Sequence, residues 1–390
     1  MQSTPGALKH CHNILDLREM ARSRLPSPIF EYMDGAAETE ATARRNISAF
    51  EADALIPRCL VNVTSVRTAT KVLGKNIAWP VFCGPTGASR LYHHEGERAV
   101  ARAAAKAETF YSLSLAGSCS LEEIARASAG PKMFQIIGLK DRALTRELIL
   151  AAKALGYAAL CLTVDASVRG KRERELRNGM GVPPKVSLAT LARFAMRPEW
   201  TLRLLCNERV SMANLPRSQR KGSGIFSDLI ETSLFLGNQL DPSMSWDEVE
   251  ELMSLWQGPF AIKGIMHVDD ARRAAMIGAT TVIVSNHGGR QLDGAAAPIE
   301  VLPRIVDAVG DRVEVILDGG IRRGVQILKA LARGAKACAI GRPYLYGLAA
   351  GGEAGVTRAL DILRAELVAA MQLSGCTDVS KIDSSIVERL

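Results

Sequence analysis

Residues 277–286 read IGATTVIVSN, and the same order of residue types returns at 155–164, LGYAALCLTV, and at 333–342, RGAKACAIGR. Each stretch passes from the end of a helical pattern through Gly and one or two small residues into a short apolar run. Glycine tolerates the left-handed backbone that closes a helix. A β-branched or apolar run this short, bounded by turn residues, reads as a buried strand. The unit is therefore helix, glycine, strand, and its recurrence points to strands joined by helices.

Working outward, eight such runs appear: PVFCGPT (80–86), FYSLS (110–114), KMFQII (132–137), LCLTVD (160–165), FAIKGI (260–265), TVIVSN (281–286), VEVILDGG (313–320) and ACAIGRP (337–343). Between them ERAVARAAAKA, LTRELILAAKALG, VDDARRAAMIG and VQILKALARG carry apolar residues at three- and four-residue spacing, the helical period. Alternation of strand and helix means parallel pairing with crossover connections. Eight units predict a closed (β/α)8 TIM barrel. The rival is an open dinucleotide-binding sheet, but its GxGxxG is absent and GPTGAS (84–89) is a poor substitute.

Every run begins apolar and ends in hydrogen-bonding groups: Thr86, Ser114, Gln135, Thr163 with Asp165, Lys263, Ser285 with His287, Asp318, and Arg342. In a closed barrel these ends converge on one face, where this fold builds its active sites. The boundaries expected are a helical lead-in over 13–75, with a break at Pro26, and a barrel over 79–350. An insertion over 183–245 separates strands 4 and 5, and a closing helix and tail occupy 351–390; all of this is one domain of 390 residues.

Bulk properties narrow the class. Net charge is +8, and much of the excess is local: from Pro183 to Ser227, Lys185, Arg193, Arg197, Arg203, Arg209, Arg217, Arg220 and Lys221 face only Glu199 and Glu208. A local basic segment argues against a nucleic-acid footprint. No apolar leader opens the chain, and no apolar run approaches the ~18 residues of a membrane span. A cytoplasmic location follows, with the inner face of the cytoplasmic membrane as an option for the insertion. The eight cysteines form no CxxC pair and read as buried thiols rather than disulfides or a zinc site. His10-Cys11-His12 and His93-His94 read as incidental, so no metal is expected.

The mouth of the barrel suggests its chemistry. DGGIRRG (318–324) and GRP (341–343) place glycines and then arginines after strands 7 and 8, where barrels hold phosphate with backbone N–H groups and a helix N-terminus. Arg322 and Arg342 add guanidinium charge to that corner. His287 is the residue type of a general base, and Asp165 would orient its imidazole. Arg290 offers a planar fork for a carboxylate. Lys263 is a compact positive charge at the end of an apolar strand. These residues alone leave open whether the phosphate belongs to substrate or cofactor.

SNHGGRQLDG (285–294), with LTVDASVRGKRE, IKGI, DGGIRRG and IGRPYLYGLA, resembles the FMN-dependent 2-hydroxy-acid oxidase/dehydrogenase family of glycolate oxidase, L-lactate dehydrogenase and mandelate dehydrogenase type. The resemblance runs from about Leu25 to the C-terminus. It implies that the phosphate is that of FMN and that His287 is the catalytic base, paired with Asp165. Arg290 and Arg172 would hold the substrate carboxylate, with Tyr32 of FEYMDGAAE beside them. Lys263 would stabilise reduced flavin. Pro85, Thr86, Gly87, Ser114, Gln135, Thr163 and Ser285 would meet the flavin ring and ribityl chain. Asp318, Gly319, Gly320, Arg322, Gly341 and Arg342 would take the ribityl–phosphate end. The family's oligomeric habit implies a homo-oligomer.

Two departures matter. FQII (134–137) puts Ile137 where the family carries a tyrosine, which removes a hydroxyl from the substrate wall. SLAGS (114–118) puts Ala116 where some oxidases carry tryptophan. Both changes, with Leu115, favour an apolar or aromatic substrate side chain. The insertion resembles the long form of membrane-associated lactate and mandelate dehydrogenases. Its ARFAMRPEWTLRLL, basic and centred on Trp200, would either lie among anionic headgroups or cover the site. Membrane contact over 185–215 would direct electrons to quinone; O2 is the alternative acceptor. A non-redox FMN or phosphate-binding barrel, or a flavoprotein impaired by Ile137, is the reading from another class.

Overall fold

The computed structural model describes residues 5–181, 187–216 and 226–390. Eight parallel strands close into a barrel. They are β1 (Val81–Thr86), β2 (Tyr111–Ser114), β3 (Lys132–Ile137), β4 (Ala159–Thr163), β5 (Phe260–Ile265), β6 (Thr281–Ser285), β7 (Glu314–Asp318) and β8 (Ala337–Ile340). Closure comes from β8 beside β1, with Cys338 opposite Val81 and Ile340 opposite Cys83. The (β/α)8 expectation is borne out, and each strand lies inside or within one residue of its predicted run. β4 and β6 are buried along their whole length, because helices cover the outside and side chains fill the inside.

The barrel has a floor. A hairpin of Thr70–Val72 and Lys75–Ile77 puts Val72, Leu73 and Ile77 into one apolar cluster with Phe82, Met133, Cys161, Ile283 and Ile316. The Leu73 N–H donates to Glu314 at the start of β7 (2.8 Å), so the hairpin seals the N-terminal ends of the strands. The opposite, C-terminal face is left open for the site.

The lead-in differs from the helical segment expected over 13–75. Helices Ile14–Arg24 and Ser27–Asp34 flank Pro26 as predicted, the first capped by Asn13. A third helix, Ala41–Ser48, follows. Beyond it the chain turns to short strands, the floor hairpin and Asp53–Leu55, which pairs with Val387–Arg389. Three-residue strands carry too little alternation to stand out in sequence. The closing helix also begins earlier, running Arg342–Leu373 with a break at Gly351–Gly352.

Between β4 and β5 the insertion folds into helices, among them Leu188–Ala195, Pro198–Cys206, Ser227–Gln239 and Trp246–Trp256. Trp200, at the centre of the segment expected either to lie among headgroups or to cover the site, is not exposed. It is buried, its ring 5.2 Å from that of Phe194, and its indole N–H donates to the Leu91 carbonyl (2.8 Å). Lys185, Arg217, Arg220 and Lys221 lie outside the described residues. The cysteines are free as expected, but Cys59 and Cys206 are exposed and Cys376 is half-buried, so burial holds for only five of the eight.

Candidate active site

A cavity of about 290 Å³ opens at the C-terminal ends of the strands. Its deep wall is polar. Ser114 Oγ donates to Gln135 Oε1 (2.8 Å), and Gln135 Nε2 donates to Thr163 Oγ1 (3.0 Å). Next along the barrel, Lys263 Nζ lies 2.9 Å from Asp318 Oδ2 and 3.0 Å from Ser285 Oγ. Burial alone would lower the Lys263 ammonium, but the Asp318 and Asp165 carboxylates outweigh it and raise it. A fixed positive charge thus sits in a buried wall, where it acts more strongly than it would in water.

His287 stands beside it, at the left-handed φ of 58°. Its N–H donates to Ser285 Oγ (3.1 Å), and its Nδ1 lies 3.0 Å from Asp165 Oδ1. With Nδ1 engaged, Nε2 is the nitrogen left for the cavity. Burial pushes the Asp165 carboxyl up, but His287 and then Lys263 outweigh it and hold it below its ordinary value. Gly264 makes this approach feasible. It sits at φ 105° where the β5–β6 register shifts, and a Cβ there would fall 2.8 Å from the Asp165 side chain.

The arginine side is built from three segments. Arg290 Nη1 donates to the carbonyls of Tyr32 (3.1 Å) and Gly35 (2.7 Å), and its Nη2 lies 2.8 Å from Glu175 Oε1. Arg172 Nη1 approaches the same carboxylate oxygen at 3.4 Å. The Arg290 guanidinium lies over the Tyr32 ring at 5.6 Å. Burial, then the charge of Arg290, pulls Arg172 down to about 10. Lead-in and barrel loop are fastened together by the amides of Asn46 and Asn286, which exchange hydrogen bonds of 2.8 and 2.7 Å.

At the β7–β8 corner the N-terminus of the helix after β7, Gly324–Ala332, is already occupied, whereas that of Arg342–Leu373 after β8 has no side-chain cap. The N–H groups of Arg322 and Arg323 both donate to Gln326 Oε1, and that of Gly324 to Glu366. An anion there is left to the guanidinium groups, the glycine backbone and the helix start after β8. Arg342 suits the task. Its Nη1 and Nη2 fix the carbonyls of Gly288 and Gly35 (2.9 and 2.7 Å), while its buried Nε has no partner among the described residues. Burial, together with Arg290 and Arg322, pulls it down to about 10, a cation in want of an anion.

Of the residues singled out in sequence, Tyr32, Pro85, Thr86, Gly87, Ser114, Ala116, Gln135, Ile137, Thr163, Arg172, Lys263, His287, Arg290, Asp318, Gly319, Gly320, Arg322, Gly341 and Arg342 all line the cavity. Asp165 and Ser285 stand behind it. The Ser285 hydroxyl is fully buried; it donates to Asp318 (2.7 Å) and accepts from Lys263 and from the His287 N–H. Sequence reasoning missed Glu175, Tyr92 and Met212. Glu175 stands three residues after Arg172, a helix spacing that could have revealed the pair. His93, His94 and Glu95 offer ligand atoms within 4.8 Å of one another. Glu95 is already paired with Arg102, however, and Arg203 and Arg24 beside the histidines oppose a cation.

The mouth of the barrel thus joins an imidazole–carboxylate pair, a buried lysine, clustered arginines and an unsatisfied guanidinium, groups able to take a proton and to hold anions. The donor set fits FMN, with hydroxyl, amide and ammonium groups for a ring edge and Arg322 and Arg342 for a phosphate. The chain belongs to the FMN-dependent dehydrogenase family, whose sequence model matches residues 21–389. It is 43% identical over 379 residues to an L-lactate oxidase of Nostoc sp., covering 96% of this chain and 97% of that protein. It is 40% identical over 373 residues to an L-lactate dehydrogenase of Caulobacter vibrioides, covering 95% and 96%. The structure is similar to that of a monotopic membrane protein, (S)-mandelate dehydrogenase, at TM-score 0.93 and 35% identity, covering 98% of this chain and 100% of that one. The chain is thus an FMN-dependent oxidoreductase acting on the CH–OH group of a 2-hydroxy acid.

Proposed function

We propose that the substrate is an (S)-2-hydroxy acid with a bulky apolar substituent, mandelate-like rather than glycolate-like, and that its electrons leave to quinone or another carrier. The observation that carries this reading is the apolar wall formed by Ala116, Ile137, Met212, Leu236 and Leu240 in the same cavity as the arginines. Such a wall favours burial of a side chain by ~0.8 kcal/mol per methylene. Arg290 and Arg172 hold the carboxylate, with Glu175 fixing both forks and Tyr32 stacked beneath Arg290. His287 Nε2 receives the substrate proton as the hydroxy acid becomes the 2-oxo acid. Asp165 stabilises the imidazolium that results.

When bound, FMN supplies the two-electron acceptor for this oxidation. Lys263 puts its charge where negative charge develops, and Ser285 and Asp318 hold it in place. Thr86, Ser114, Gln135 and Thr163 serve the ring and ribityl chain, and Arg322 and Arg342 the phosphate.

Carrier use is favoured by Leu188, Leu191, Met196, Leu202 and Leu205, all exposed on two adjoining insertion helices and the turn between them, which also carry Arg193 and Arg197. Apolar and basic groups on one exposed element suit an anionic bilayer surface, in a homo-oligomer at the inner face of the cytoplasmic membrane. Anaerobic bleaching of the flavin tests the substrate reading. (S)-Mandelate and longer 2-hydroxy acids are expected to bleach it at lower concentration than glycolate. Preference for glycolate refutes the reading, and peroxide formed at the rate of bleaching in air refutes carrier use.

A further inference from the structure

We infer that Tyr92 donates a hydrogen bond to the substrate carboxylate, supplying from another element the phenol hydroxyl that Ile137 lacks. The inference rests on the reading above that the carboxylate lies at Arg290 and Arg172.

Tyr92 follows the short turn Ser89–Leu91 just after β1, and its N–H closes that turn on the Ser89 carbonyl (3.0 Å). It is 4% exposed and lines the active-site cavity. Its hydroxyl makes no hydrogen bond among the described residues, yet it is not among the buried polar atoms sealed from space. An unpartnered donor on a buried side chain costs stability, so a ligand oxygen is its natural acceptor.

Tyr92 also borders a second, smaller cavity of about 50 Å³ lined by Arg24, His93, Trp200 and Arg203. Tyr92 stands between the two. After burial, the groups that most affect its ionisation begin with Tyr32, Arg290 and Glu175, which surround the carboxylate position. Burial raises the phenol well above its ordinary value, so it stays protonated and acts as a donor. The neighbouring Leu91 carbonyl is held by the Trp200 indole. The insertion therefore clamps the turn that presents Tyr92.

The substrate carboxylate keeps its charge throughout the reaction. A contact to it binds ground and transition states alike, and its loss raises KM without changing kcat. Tyr92→Phe keeps the ring and its packing. It is expected to raise KM for the preferred 2-hydroxy acid about 10-fold, the size of one hydrogen bond to a charged group, with kcat and flavin content unchanged. The dissociation constant of phenylacetate, a carboxylate with no 2-hydroxyl, read from the flavin spectrum, is expected to rise by the same factor. Either constant staying within about twofold of the parent's, against that expected factor, overturns the inference. If no 2-hydroxy acid bleaches the parent protein, the reading of the substrate fails instead.

Discussion

His287, Gly288 and Gly289 occupy successive left-handed positions at φ 58°, 63° and 74°. For the histidine that backbone is strained, and strain of this kind persists where the surrounding structure holds it. Here Ser285, Asp165 and the lead-in do so, and the turn carries the imidazole back over the end of β6. His287→Ala should retain FMN, since the phosphate corner is untouched, and should lose flavin bleaching by ~10²–10⁴-fold, the usual contribution of a general base. Anaerobic stopped-flow at the flavin band measures it, and bleaching at the parent's rate removes His287 from that role. The residue was legible because packing gives no reason for an imidazole and a guanidinium after an apolar strand. Glu175 was legible only as a residue at helix spacing from Arg172, because in GKRERE (170–175) alternating charge has the look of a solvated helix. Only the fold shows that this carboxylate is 2% exposed and shared by two arginines.

At the scale of elements, the barrel strands were legible because a parallel strand buried on both faces leaves an unbroken apolar run. The insertion was legible only in part. Its helical segments show in the sequence, but which side of Pro198–Cys206 turns inward does not. Trp200 goes in, beside Phe194 and the Leu91 carbonyl, while Leu202 and Leu205 stay out. Deleting the segment would be a blunt test of membrane contact, because Met212 lines the cavity and Asn214 accepts from the Leu121 N–H (2.9 Å). The double change Leu202→Glu and Leu205→Glu spares both. It should move the protein off anionic vesicles in a flotation assay and leave bleaching by the preferred substrate within about twofold, as for surface substitutions generally. Retention on the vesicles disposes of the anchoring role.

Across the whole molecule, the open end of the barrel concentrates positive charge. Arg172, Arg290, Arg322 and Arg342 line one cavity, and burial pulls Arg172 and Arg342 down to about 10. The sign is that of a cost: a buried cation whose folded value is lowered destabilises the fold while it stays charged. An anionic ligand relieves that cost. Adding FMN to flavin-free protein should therefore raise the thermal midpoint, by ~2.7 kcal/mol of linkage free energy at a hundredfold excess over Kd. Arg342→Met should lose most of that gain at the same FMN concentration, as the loss of a charge-assisted hydrogen bond implies. A full gain in the variant places the phosphate elsewhere.

The seam that closes the barrel, Cys338 beside Val81, joins strands from opposite ends of the polypeptide. Closing so long a loop is entropically slow. On the ribosome, β1 must wait with one edge bare until β8 emerges, and an uncovered parallel edge invites pairing with other chains. The same late step brings Arg342 to Gly35 and Gly288. The corner proposed for the phosphate is thus completed only with the last strand, and a chain cut before residue 340 lacks the sealed cylinder.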